Sequence, residues 1–163
     1  MSSVPASGIR LLHWAIAALT TGALATGYTM TNSDPFSATL LKTHLGLGLS
    51  AGGLAVVRTI SWIMNGAPAP VFIVKPGFLA VLGKSVHAAL RLVPLLLLFS
   101  GVGMTLLSGA LGAIADGTFP GLGAFAGLPP ANLHHAAALL LVVLIGLHSL
   151  AAMWHWQRQF LTE

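Results

Sequence analysis

Long apolar stretches alternate with short polar runs containing Gly and Pro along the whole chain. The first stretch, Ile9 to Met30, has no charged residue after Arg10. The second, Lys42 to Met64, is uncharged between Lys42 and Arg58, an arginine placed to snorkel toward the segment's end. The third runs from Lys84 to Leu107 and the fourth from Asn132 to Gln157. A helix needs roughly 20 apolar residues to cross hydrocarbon, and each stretch meets that length. Helix breakers divide them: Thr31-Asn32-Ser33-Asp34-Pro35, then Asn65-Gly66-Ala67-Pro68-Ala69-Pro70 with Lys75-Pro76-Gly77, then a Gly/Pro-rich run over 117–130. The pattern predicts one all-α membrane domain over residues 1–163, a four-transmembrane-helix bundle with helices near 9–30, 42–64, 84–107 and 132–157. Short connections favour antiparallel neighbours. Phe119, Leu122, Phe125 and Leu128 suggest that the last connection rests at the membrane interface. No period of 20–50 residues repeats, so no internal duplication is expected.

Composition supports lipid as the environment. The chain is 56% hydrophobic and 6% charged, with a mean hydropathy of +0.90, whereas a soluble domain carries about 25% charged residues. A domain of this size exposes too much surface to hide that shortfall in a core. The net charge is +4, yet Arg10, Lys42, Arg58, Lys75, Lys84, Arg91 and Arg158 are dispersed, which excludes a phosphate-binding stripe for nucleic acid. The chain has no cysteine, which excludes disulfides, thiol catalysis, Cys-ligated iron–sulfur clusters and covalently attached haem. The first segment lacks a small-residue cleavage pattern and reads as a retained helix. The positive-inside rule places both ends in the cytoplasm: Arg10, Arg58, Lys75, Lys84 and Arg158 then lie inside, and Lys42 lies outside with Asp34 and Asp116. Trp14, Trp62, Trp154 and Trp156 fall at the cytoplasmic ends, as interfacial tryptophans do.

Seven histidines lie in or beside the four segments: His13, His44, His87, His134, His135, His148 and His155. Ionisable groups at membrane depth are costly and face a partner in the bundle interior. His134 and His148 are 14 residues apart, which puts them on nearly one helix face and about 21 Å apart along the axis. His44 is level with His134, and His13 with His148. Two cross-helix pairs follow, one near each membrane surface, a layout that suits bis-His ligation of two haems with iron ligands His13, His44, His134 and His148. His135 faces another way and is a neighbour, interfacial or near a propionate. His155 returns to the His148 face at the cytoplasmic edge. Gly48 and Gly52 after His44, Ala137 and Ala138 after His134, and Ala151 and Ala152 after His148 leave room for a flat ring, or else serve small-residue helix packing. Ligands this far apart cannot share one zinc or copper ion. A proton relay commonly employs membrane Asp or Glu, and the helix interiors contain neither.

Leu12-His13-Trp14, Lys42-Thr43-His44-Leu45-Gly46-Leu47, the trio His87, Pro94 and Gly101, and Leu133-His134 with Gly146-Leu147-His148 and His155 together resemble the small bacterial cytochrome b561 family, four-helix di-haem cytochromes of the inner membrane. The resemblance covers nearly the whole chain. It implies two b haems, His13 with His148 on the cytoplasmic side and His44 with His134 on the periplasmic side. It also implies a quinone such as ubiquinone near the cytoplasmic surface, hydrogen-bonded by His155. Two departures stand out: His135 occupies a place that is often acidic in the family, and Arg91 one that is commonly aromatic. Arg91, one turn from His87, either pairs with a haem propionate or snorkels at the helix end. His87 reads as a packing neighbour. Arg10, Lys84, Arg91 and Arg158 are the cations available to balance propionates or a charged quinone.

The expected function is one-electron transfer between the periplasmic side and the quinone pool, because two axial histidines close the iron to direct ligand chemistry. Some members of the family oxidise superoxide and reduce ubiquinone. Lys42, two residues before His44, fits an anionic donor weakly. The alternative is an electron-carrying membrane subunit for a separate dehydrogenase or periplasmic redox protein. A non-redox helix-bundle scaffold is the remaining reading.

Overall fold

Hydrocarbon offers a backbone no hydrogen-bond partner, so an apolar chain crosses it as helices that satisfy their own N–H and C=O groups. The computed structural model describes residues 6–32, 37–66, 77–118 and 121–160. It contains α1 (Ala6–Thr31), α2 (Ala38–Asn65), α3 (Phe78–Leu107), a short α4 (Ala110–Ala115), a 3-10 turn (Leu122–Phe125) and α5 (Pro129–Phe160). The four long helices are each long and apolar enough to cross a membrane. The fold class is therefore the one the hydropathy pattern predicts. Each helix runs beyond its apolar segment, because helical hydrogen bonding continues into the interface. Asp34, Lys75 and Phe119 lie outside the described residues.

Local chemistry sets the helix ends. Ser37 caps α2, its Oγ accepting the Leu40 N–H at 3.4 Å. Gly66 ends α2 at φ 81°, and Gly109 separates α3 from α4 at φ 71°. Both positions lie in the left-handed region that a side chain disfavours. Pro94 sits inside α3 and removes one helical hydrogen bond.

Helices α1 and α2 form one packed hairpin, α3 and α5 another, and α2 joins the two along α3. The two hairpins run in the same direction. One end of the bundle carries the start of α1 and the finish of α5, called here the terminal end; the other is the far end. Val86 and Val93 of α3 pack with Ala137, Leu141 and Leu144 of α5 in the densest core. Large side chains such as Leu92, Phe99, Leu139 and Val143 point outward, as lipid-facing residues do.

The last connection is more structured than a loop at the interface. It folds into α4 and the 3-10 turn, and Phe125 is buried at 8% exposure over the far end. The sequence pattern missed both pieces because they are too short to show a period.

Gly52 decides how close α2 and α3 come. A Cβ there would lie 2.7 Å from Leu98 Cδ1 and 2.9 Å from Leu98 Cβ. Gly48, one turn earlier, has nothing within 4 Å of such a Cβ. Gly52→Ala should therefore destabilise the bundle by about 1–3 kcal/mol, read as earlier thermal unfolding in detergent, while Gly48→Ala leaves the transition unchanged.

Candidate functional site: paired histidines at both ends of the bundle

An imidazole inside hydrocarbon must place its N–H on an acceptor. Helix backbones have already committed their carbonyls, but a carbonyl has two lone pairs and can accept again. His44 of α2 uses this on α1. Its Nδ1–H donates to the Ala23 carbonyl at 2.9 Å, with the Thr26 hydroxyl oxygen 3.3 Å away. Thr26 spends its own proton on the Gly22 carbonyl at 2.9 Å, so its oxygen faces His44 as an acceptor. His134 of α5 does the same on α3. Its Nδ1–H donates to Leu97 O at 3.1 Å, beside the Ser100 oxygen at 3.1 Å, and Ser100 donates to Leu96 O at 2.6 Å. These bonds assign the proton to Nδ1 in both rings and leave each Nε2 with a free lone pair.

The rings come this close to a neighbouring helix because glycine lets them. A Cβ on Gly27 would lie 3.0 Å from His44 Cε1, and one on Gly101 would lie 3.1 Å from His134 Cε1. The two rings stand 6.1 Å apart, centroid to centroid, at 77°. An apolar cavity lies beside them, lined by Met30, Leu41, Met104, Thr105 and Phe125 among others.

At the terminal end, His13 of α1 and His148 of α5 are 6.3 Å apart at 81°. His87 of α3 joins them, 5.0 Å from His148 and edge-on at 87°. His87, expected from the sequence to pack beside the ligands rather than to be one, lies against His148. Arg58 does not snorkel outward. Its guanidinium turns into the bundle and donates to His13 Nδ1 at 3.0 Å, because α1 and α2 present these two residues to each other at the same depth. Arg91 stacks on Trp62, with 4.6 Å from its guanidinium carbon to the ring centroid.

The other candidates lie outside these clusters. Arg10 is exposed. His135 is exposed on the outer side of α5, and His155 is half-buried near the helix end. Arg158 stacks over Trp154 at 4.7 Å. The small residues divide by role. Gly52 receives Leu98, and Ala137 is core packing at 3% exposure, so neither flanks an open slot. Gly27 and Gly101, the glycines that touch the histidine rings, belong to the partner helices; Gly101 carries part of the family resemblance, while Gly27 has no sequence neighbour to mark it.

The spacings test whether the pairs suit a haem. A metal–imidazole bond is about 2 Å and the ring nitrogen lies about 1 Å from its centroid, so imidazoles on opposite faces of one iron have centroids about 6 Å apart. Both predicted pairs meet that spacing, and His87 with His148 is closer than it. The donor chemistry fits at the far end, where the rings are oriented through Nδ1 with Nε2 free, whereas at the terminal end His13 Nδ1 accepts from Arg58.

Fold and site together define a membrane helical bundle with paired histidines at two depths, the class of the b-type membrane cytochromes. The family model for prokaryotic cytochrome b561 matches residues 6–161, and the chain belongs to that family. It is a multi-pass bacterial membrane protein of electron transfer, in a family that binds haem b. No curated protein and no solved structure gives a match.

The glycine contacts carry a direct test. Gly27→Val and Gly101→Val should each displace the adjacent ring, and purified protein should carry less haem and show a changed reduced absorption band. Gly53→Val, at an exposed position on the opposite face of α2 from His44, should leave haem content as in the wild type.

Proposed function

We propose that the chain holds two b haems, one between His44 and His134 and one between His13 and His148, and passes electrons between them to a quinone. The observation that carries this reading is the pair of ring separations, 6.1 and 6.3 Å, on one helix bundle. The cation distribution supports a cytoplasmic terminal end: Arg10, Arg58, Lys84 and Arg158 gather there, with Lys42 and Asp116 opposite. The far-end pair is then periplasmic.

Bound haem, held by these four histidines, would supply reversible one-electron chemistry. The protein's residues do the rest. Ala23, Thr26, Leu97 and Ser100 hold the far-end rings in one tautomer. Lipid-facing Leu, Val and Phe side chains keep water from the bundle. Arg91 supplies positive charge for propionates at the terminal end. To His155, half-buried and seven residues beyond His148, this reading gives the hydrogen bond to a quinone carbonyl. Lys42 is exposed near the far-end pair, where it favours an anionic donor such as superoxide.

Haem analysis and a reduced-minus-oxidised spectrum test the main claim. Wild-type protein should hold two haems per chain. His134→Ala should lose one, while His135→Ala loses none; loss from His135→Ala instead would reverse the ligand assignment. His155→Ala should keep both haems and slow quinone reduction by about tenfold, the scale of one lost hydrogen bond. Quinone-dependent removal of superoxide above the spontaneous rate would make superoxide the donor. Its absence from protein with two reducible haems would make a redox protein the donor.

A further inference from the structure

The hydrogen-bond set around His44 recurs around His134 at a constant offset. The carbonyl acceptors Ala23 and Leu97, the hydroxyls Thr26 and Ser100, their own acceptors Gly22 and Leu96, and the glycines Gly27 and Gly101 are each 74 residues apart. Met30 and Met104, also 74 apart, line the same cavity. So are His13 and His87 at the opposite end, and Arg10 and Lys84. Along α2 and α5 the offset is 90: His44 matches His134, and Leu54 matches Leu144. The extra 16 residues fall where α4 and the 3-10 turn lengthen the second connection. The two hairpins thus match one another at these positions and run the same way. Periods of 20–50 residues pass over an offset this long, and the insertion breaks its register between the two helices.

The far-end site follows this match, since its ligand candidates are the matched pair His44 and His134. The terminal end breaks it. At offset 90 the counterpart of His148 is Arg58. One hairpin therefore presents His13 with Arg58 and the other His87 with His148. Arg58 is half-buried and its guanidinium lies 3.0 Å from His13 Nδ1. The far-end cavity has no Lys or Arg in its lining. Asp116 is the one acidic residue among those described, and it lies at the far end.

We propose that Arg58, at the position His148 holds in the other hairpin, supplies a fixed positive charge that makes the terminal-end haem the electron sink of the pair. This rests on the two-haem reading above. A cation beside an iron centre favours the form with one more electron. One electron then leaves the haem at His44/His134 and is gained by the haem at His13/His148, with no proton moved between them. Arg58 is a positioning residue for charge, and it acts on the potential rather than on any bond made or broken.

Redox titration of purified haem-loaded protein tests this. The His134→Ala background isolates the terminal-end haem, and Arg58→Met and Arg58→Lys are compared within it. Arg58→Met should lower the midpoint potential, changing the reduced-to-oxidised ratio at fixed potential by on the order of tenfold. Arg58→Lys should restore most of the shift. In the His13→Ala background, which isolates the far-end haem, Arg58→Met should move nothing. An unchanged midpoint in the first background, an equal shift in both, or loss of the terminal-end haem from both Arg58 variants overturns the proposal alone. A wild-type protein without two haems overturns the ligand reading and this inference with it.

Discussion

The structure depends on one requirement: an imidazole buried in a membrane must hydrogen-bond its N–H to something that is already part of a helix. His44 and His134 meet it by sharing a carbonyl of the neighbouring helix, at 2.9 and 3.1 Å. The approach works only where a glycine removes the Cβ that would otherwise meet the ring, as at Gly27 and Gly101. That single requirement sets the distance between α1 and α2, and between α3 and α5. It also sets the tautomer, and so the nitrogen left free for a metal.

The two ends of the bundle surround their imidazoles differently. At the far end, backbone carbonyls and hydroxyls accept from imidazole. At the terminal end a guanidinium, which has only donors, faces His13 Nδ1 at 3.0 Å. The first arrangement is neutral and the second is cationic. In a low-dielectric interior such a difference is felt strongly. The two ends are thereby electrostatically unequal.

Much of the fold was legible along the chain because lipid imposes a simple rule. Four apolar segments of spanning length have to be helices, and the 14-residue spacing of His134 and His148 has to put them on one face. Depth then pairs His13 with His148 and His44 with His134, and these are the rings that the fold brings to 6.3 and 6.1 Å. Other features were hidden. Gly52 and Ala137 look like clearance for a cofactor but are helix packing, because small residues serve both ends equally. Arg58 looks like a snorkelling residue, since only rotation about the α2 axis decides whether it faces water or His13.

The sequence by itself determined that this is a membrane bundle and which histidines share a depth, since both follow from local periodicity and helix rise. Tertiary structure alone decided which carbonyl, hydroxyl and glycine surround each ring, and that His87 and Arg58 turn inward. Those choices rest on contacts between helices distant in sequence, where side-chain direction depends on how each helix rotates against its neighbour. The match between the hairpins lies between the two cases: its residues are all visible in the chain, but the hydrogen bonds around two histidines are what align them.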